Sequence, residues 1–166
     1  MMRPLEVLVL LGGNEGDLQE IFRSAENELS GSGRILARSR DHWTEPWGFK
    51  DPRLFLNRAL LISTDLPPDA LMAECLEIER RHGRVRKIGQ PPAPRPLDID
   101  ILLIEDLAHR SEILQVPHPR MHLRTFALQP AADIVPLWVH PNEGMTVIDL
   151  LQRNLPTFLP GRQADV

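Results

Sequence analysis

A chain of 166 residues, 42% hydrophobic and 25% charged, is long enough for a substantial core and too apolar to be disordered. Its net charge of −4 argues against general nucleic-acid binding, and its single cysteine, Cys75, excludes an internal disulfide framework or a cysteine-built zinc cage. No apolar run reaches the length of a membrane span and no signal-peptide layout precedes the first strand-like segment, so one domain over 1–166 in a reducing, cytoplasmic setting is expected.

In chain order, LEVLVLL (residues 5–11) reads as a strand ending in the glycine-rich turn GGNEG. Leu18, Ile21, Phe22, Ala25 and Leu29 then follow helical spacing, with Asp17 and Glu20 placed as a capping box. RILARSRDHW reads as one poorly alternating strand, and the long loop TEPWGFKDPR separates it from a further strand, LFLNRALLIS. Pro67 and Pro68 open a second helix, whose Leu71, Cys75, Ile78 and His82 share a stripe and which Gly83 ends. A basic, proline-broken loop over 84–96 feeds the strand PRPLDIDILLI, and residues 105–166 add a short helix after Pro117 and peripheral structure. The order β-α-β-β-α-β predicts an α+β fold with a ferredoxin-like core and a C-terminal extension.

Two carboxylates interrupt the last of these strands. Side chains two apart on a strand share a face at roughly 6–7 Å, so Asp98 and Asp100 stand side by side while Leu97, Ile99, Ile101 and Leu103 line the other face. Adjacent buried carboxylates repel unless something positive lies between them. Either arginines or bound divalent cations meet that need. The preceding stretch RRHGRVRKIGQPPAPRP carries Arg80, Arg81, Arg84, Arg86, Lys87 and Arg95 and no acid. Cations converging on paired carboxylates suit a metal-bound polyphosphate, although a salt-bridge cluster or a solvated loop would use the same residues.

Three other stretches have weaker signals. LGGNEGD lacks the ending of a P-loop and the spacing of a dinucleotide fingerprint, so it is a tight turn or a backbone surface for a ligand. In VPHPRMHLR, His118 and His122 have no third soft ligand, which favours phosphate contact by His118 and Arg124 over zinc. Phe55 and Asn57 share a strand face, where a ring beside an amide could stack on and hydrogen-bond a flat heterocycle, or simply belong to the core.

Together, LGGNEGD, TEPWGFKDPRLFLN, GRVRKIGQPPAPRPLDID and VPHPRMHLRTFALQP resemble the 6-hydroxymethyl-7,8-dihydropterin pyrophosphokinase family, in its order and near its spacing, over about residues 5–150. The resemblance implies transfer of pyrophosphate from ATP to the pterin hydroxymethyl oxygen, in folate biosynthesis, by a monomer that needs neither nucleic acid nor membrane. It implies that Asp98 and Asp100 hold two Mg2+ ions, that Arg86 and Arg95 act on the phosphates, and that Glu79, Ile101, His118 and Arg124 contact ATP. The pterin would lie between Phe55 and Phe126, its polar edge read by Asn57 and by the chain around Thr44, Pro46 and Trp47. The chain departs from the family pattern mainly at GQPPAPR, where Trp-Gly-Pro-Arg is usual, and also at Gly13, Glu45 and Ile113. A relative that binds ATP or pterin without turnover, and a metal-dependent phosphohydrolase, are the alternative readings.

Overall fold

The computed structural model describes residues 3–85 and 89–156. Strand β1 (Leu5–Gly13) is buried from Val7 to its end. Val7, Val9 and Leu11 belong to one apolar cluster, while Leu8 and Leu10 belong to another. A strand covered on both faces needs no polar alternation, which explains its continuous hydrophobic run. It lies inside a mixed helix-and-sheet fold of strand order β2-β4-β1-β5, with β2 (Arg34–Arg38), β4 (Phe55–Thr64) and β5 (Asp98–Ile104) all in antiparallel pairs.

The poorly alternating segment is two strands rather than one. Both β2 and β3 (His42–Thr44) pair with β4, and the β2 register slips between Ile35 and Ala37. Between the two strands, Ser39 pairs with Ala59 through its N–H, which donates to the Ala59 carbonyl at 2.9 Å. Its hydroxyl accepts from the Ala59 N–H at 2.8 Å.

Helices α1 (Leu18–Leu29) and α2 (Pro68–Arg81) cover one face of the sheet, where Phe22, Leu29, Leu71 and Ile78 meet Val7, Val9 and Leu11. Asp17 caps α1 by accepting from the Glu20 N–H at 3.3 Å. The Glu20 carboxylate pairs with Arg23, so only half of the expected capping box forms. Pro68 opens α2, and Gly83, at φ 89°, follows its end.

The C-terminal segment is more than peripheral structure. After the hairpin of β6 (His109–Arg110) and β7 (Gln115–Val116), helix α3 (Thr125–Ile134) crosses the second face of the sheet. Helix α4 (Val147–Asn154) follows the hairpin of β8 (Val139–His140) and β9 (Met145–Thr146). Leu128, Ala131, Val147 and Leu150 are fully buried there against Leu8, Leu10 and Ala59.

A bulge in β5 corrects one expectation about the aspartate strand. Val9 pairs with Ile101 but Leu8 pairs with Leu103, leaving Leu102 as an extra residue. Leu103 therefore packs under α3, on the side of the aspartates, rather than with Leu97, Ile99 and Ile101. Among the described residues, no helix is long and apolar enough to cross a membrane.

Candidate active site

Because Leu97, Ile99 and Ile101 turn into the α1/α2 core, Asp98 and Asp100 face the opposite side of the sheet and open into a cleft. Its floor is the end of β1, at Leu10 and Gly12. One wall comes from Thr44, Trp47, Phe55 and Asn57, and the other from Arg120, Arg124 and Phe126, with Pro92 and Arg95 at the rim. The cavity measures about 120 Å³. Cations rest on its aromatic walls. The Arg95 guanidinium carbon is 4.9 Å from the Phe55 ring centre, and that of Arg124 is 4.6 Å from Trp47 and 5.4 Å from Phe126.

Arg95 also reaches the carboxylates. Its Nε and Nη2 are both 3.2 Å from Asp98 Oδ2, and its Nη1 donates to the Ala93 carbonyl at 3.0 Å. Arg124 Nε is buried without a hydrogen-bond partner. Burial, then the charge of Arg120, lowers the Arg124 pKa from its ordinary value, opposed by the attraction of Asp100 and Asp98. Burial is also the main cause that pushes His118 down to about 4, helped by Arg124 and Arg120. His118 is thus neutral at pH 7. Its Nδ1 accepts from the Arg120 N–H at 3.2 Å, so the ring proton sits on Nε2 and the side chain offers a donor without a charge.

Asn57 is 2% exposed, and its orientation follows from its partners. The carboxamide nitrogen donates to the His42 carbonyl at 3.1 Å and to Thr44 Oγ1 at 2.8 Å. A carbonyl only accepts, so the nitrogen must face it, and what Asn57 presents to the cleft is its Oδ1 acceptor.

Of the residues expected from the sequence, Asp98, Asp100, Arg95, Arg124, Thr44, Trp47, Phe55, Asn57 and Phe126 are thus gathered around one cleft. His118 stands close enough to Arg124 and Asp98 for their charges to act on it. Pro46 lies between the lining residues Glu45 and Trp47 without lining the cleft itself. Glu79 is 1% exposed on α2, behind the sheet, where its Oε2 accepts from the Ile99 N–H at 2.7 Å. The Ile101 side chain belongs to the same rear core. Arg86 lies outside the described residues. Sequence reasoning gave no role to Arg120, Glu45 or Pro92, which line the cleft, although all three fall within stretches already singled out.

Among the described residues, no group of three or more His, Cys, Asp or Glu is placed to hold a metal ion. The aspartate pair nevertheless offers hard oxygen donors of the kind Mg2+ takes when substrate phosphates and water complete its octahedron.

The family model for 7,8-dihydro-6-hydroxymethylpterin-pyrophosphokinase (HPPK) matches residues 8–136. This chain belongs to that family. It is 39% identical over 138 residues to the 2-amino-4-hydroxy-6-hydroxymethyldihydropteridine pyrophosphokinase of Porphyromonas gingivalis, covering 81% of this chain and 93% of that one. Against the enzyme of the same name from Methylorubrum extorquens, identity is 41% over 128 residues, covering 76% and 80%. Among solved structures, a Plasmodium falciparum HPPK-DHPS superposes with a TM-score of 0.71 at 13% identity, covering 91% of this chain and 45% of that chain. An HPPK-DHPS crystallised with substrates gives 0.68 at 12% identity, covering 90% and 43%. At such identity these two support the HPPK fold alone, and this chain spans less than half the length of either.

Proposed function

We propose that this chain transfers pyrophosphate from ATP to the hydroxymethyl oxygen of 6-hydroxymethyl-7,8-dihydropterin, giving the pterin diphosphate and AMP for folate synthesis. The observation that carries the reading is one juxtaposition. Two carboxylates on one strand face open into the same cleft as an aromatic pair and an amide acceptor. The Mg2+ that accompanies ATP phosphates takes the first group as ligands, and a flat, N–H-bearing heterocycle suits the second.

Asp98 and Asp100 would hold two Mg2+ ions together with the ATP phosphates. Bound there, magnesium supplies charge neutralisation and polarises the transferred group. Arg95, already at the rim beside Asp98, donates its planar fork to phosphate oxygens, and Arg86 has the same assignment from outside the described residues. Arg124 adds charge from the far wall, and neutral His118 adds a hydrogen bond from Nε2. Phe55 and Phe126 stack the pterin, while Asn57 Oδ1 accepts from its N–H edge and the main chain over 44–47 borders that edge. Glu79 acts from behind by holding the β5 backbone at Ile99, and Ile101 has only its main chain to offer ATP. Such a transfer depends on positioning and electrostatic stabilisation rather than on a covalent nucleophile.

The same reading covers the architecture. Counting β2 and β3 as one interrupted edge strand turns the observed order into that of a ferredoxin-like core, with α3 and α4 as its extension. We take the chain as a single domain acting as a cytoplasmic monomer without nucleic acid.

The test is AMP formation from ATP and Mg2+, with and without the pterin, for the unaltered chain and Asp98→Ala. Pterin-dependent AMP that falls on the order of a hundredfold or more in the variant is expected, the scale of losing one transition-state electrostatic contact. Binding of both ligands without AMP would mean a non-catalytic relative, and phosphate release without pterin would mean a phosphohydrolase.

A further inference from the structure

Asn14 lines no part of the cleft, yet it is 3% exposed and touches both loops that border it. Its N–H donates to the Arg95 carbonyl at 2.9 Å, and its Oδ1 accepts from the Arg95 N–H at 3.0 Å. Its Nδ2 donates to the Arg53 carbonyl at 3.4 Å. Those two bonds draw on opposite ends of one carboxamide, so the side chain bridges the segments over 45–54 and 89–96.

The neighbouring residues fit that role. A Cβ on Gly13 would lie 2.4 Å from the Pro96 carbonyl oxygen, so only glycine lets the second loop come this close. Glu15 Oε1 is 3.7 Å from Arg53 Nη1, a second tie to the first loop. Farther out, a Cβ on Gly48 would stand 3.6 Å from Pro92 Cγ, so the two loops also approach each other away from Asn14. Arg53 is two residues before Phe55, and Arg95 three before Asp98; the Arg95 guanidinium lies on the Phe55 ring and bonds Asp98.

We propose that Asn14 is a positioning residue whose carboxamide couples the two loops, holding Phe55 and Arg95 in register at the edge of the cleft. In catalytic terms this rests on the pyrophosphokinase reading, since it sets the aromatic wall for the pterin against the cation for the phosphates. A misplacement of about 1 Å between such groups can cost on the order of a hundredfold in rate.

The test uses Asn14→Ala, Asn14→Asp and Gly13→Ala, each followed by thermal unfolding, amide hydrogen exchange resolved at Arg95, and pterin-dependent AMP kinetics. Asn14→Ala is expected to free the Arg95 amide while the β1 and β4 amides keep their protection, and to lower kcat on the order of tenfold or more. Asn14→Asp keeps an acceptor for Arg95 but loses the donor to Arg53. It should therefore retain Arg95 protection and raise the pterin KM more than the ATP KM. Gly13→Ala displaces the Pro96 segment with Asn14 intact and should reproduce the faster Arg95 exchange. Unchanged exchange and kinetics in Asn14→Ala would overturn the proposal, as would loss of protection spread evenly over the whole chain. If Asn14→Ala does not fold, wild-type behaviour of the other two variants overturns it. Altered Arg95 exchange in a protein that makes no pterin-dependent AMP would leave the coupling standing and reject the pyrophosphokinase reading instead.

Discussion

Around the proposed phosphate side of the cleft, burial and neighbouring charge set how His118 responds to pH. His118 has a folded-state value near 4, below its ordinary 6.5, because burial and two arginines penalise its charged form. A depressed base binds fewer protons folded than unfolded, so its effect on stability is absent above about pH 6.5. It grows as a loss while pH falls toward 4. His118→Gln should remove that component, and the variant should lose less stability than the unaltered chain between those limits. Urea unfolding at a series of pH values reads the difference, and parallel curves would contradict it. The aspartate pair was legible because two carboxylates break an otherwise apolar strand. Asn14 was not, because asparagine in a glycine turn is ordinary turn chemistry and its side-chain partners lie 39 and 81 positions away.

Helix α3 meets strand β3 through one carboxylate. Asp133 accepts from the Arg40 N–H at 3.1 Å and bonds His42 Nε2 at 2.8 Å, while the His42 carbonyl holds Asn57. Burial would raise the Asp133 pKa, but the hydrogen bonds from Arg40 and His42 outweigh it and hold the carboxyl below the usual range. That contribution is present above the unfolded value and lost as the solution is acidified through the folded one. Since α3 carries Phe126 and β3 carries Thr44, Asp133→Ala should cost about 1–3 kcal/mol at neutral pH and weaken pterin binding more than ATP binding. Denaturant unfolding and calorimetric titration with each ligand would check it; equal loss of both affinities would argue against a link to the proposed pterin wall. The sequence allowed a short helix here but not its place. Nothing local says that the residues after Pro117 return across the sheet, and Pro130 inside α3 obscures the helical pattern.

The molecule as a whole is a sheet between two helical layers, and the cleft depends on both. The front layer supplies Phe126 and covers Leu8, Leu10, Ala59, Leu102 and Leu103. A chain ending at residue 116 keeps β1 to β5 with α1 and α2 but leaves that face bare. It should show no cooperative thermal unfolding and should aggregate; a soluble, cooperatively folding fragment would mean that the rear layer suffices. The rear half was readable from periodicity because its helices carry clean apolar stripes. The front half was hidden because β1 and the end of β5 are apolar on both faces, so their patterns do not announce a second layer.

The extra residue in β5 acts as a change of parity along the strand. Before Leu102, odd positions belong to the rear core and even ones to the cleft; after it, Leu103 faces front and Ile104 rear. Chemistry and packing thus occupy one strand in opposite phase. Deleting a single residue over 101–103 would leave both aspartates in the chain and force a choice between turning them into the rear core and turning Leu103 and Ile104 the wrong way. At this point residue count constrains the protein more tightly than residue identity.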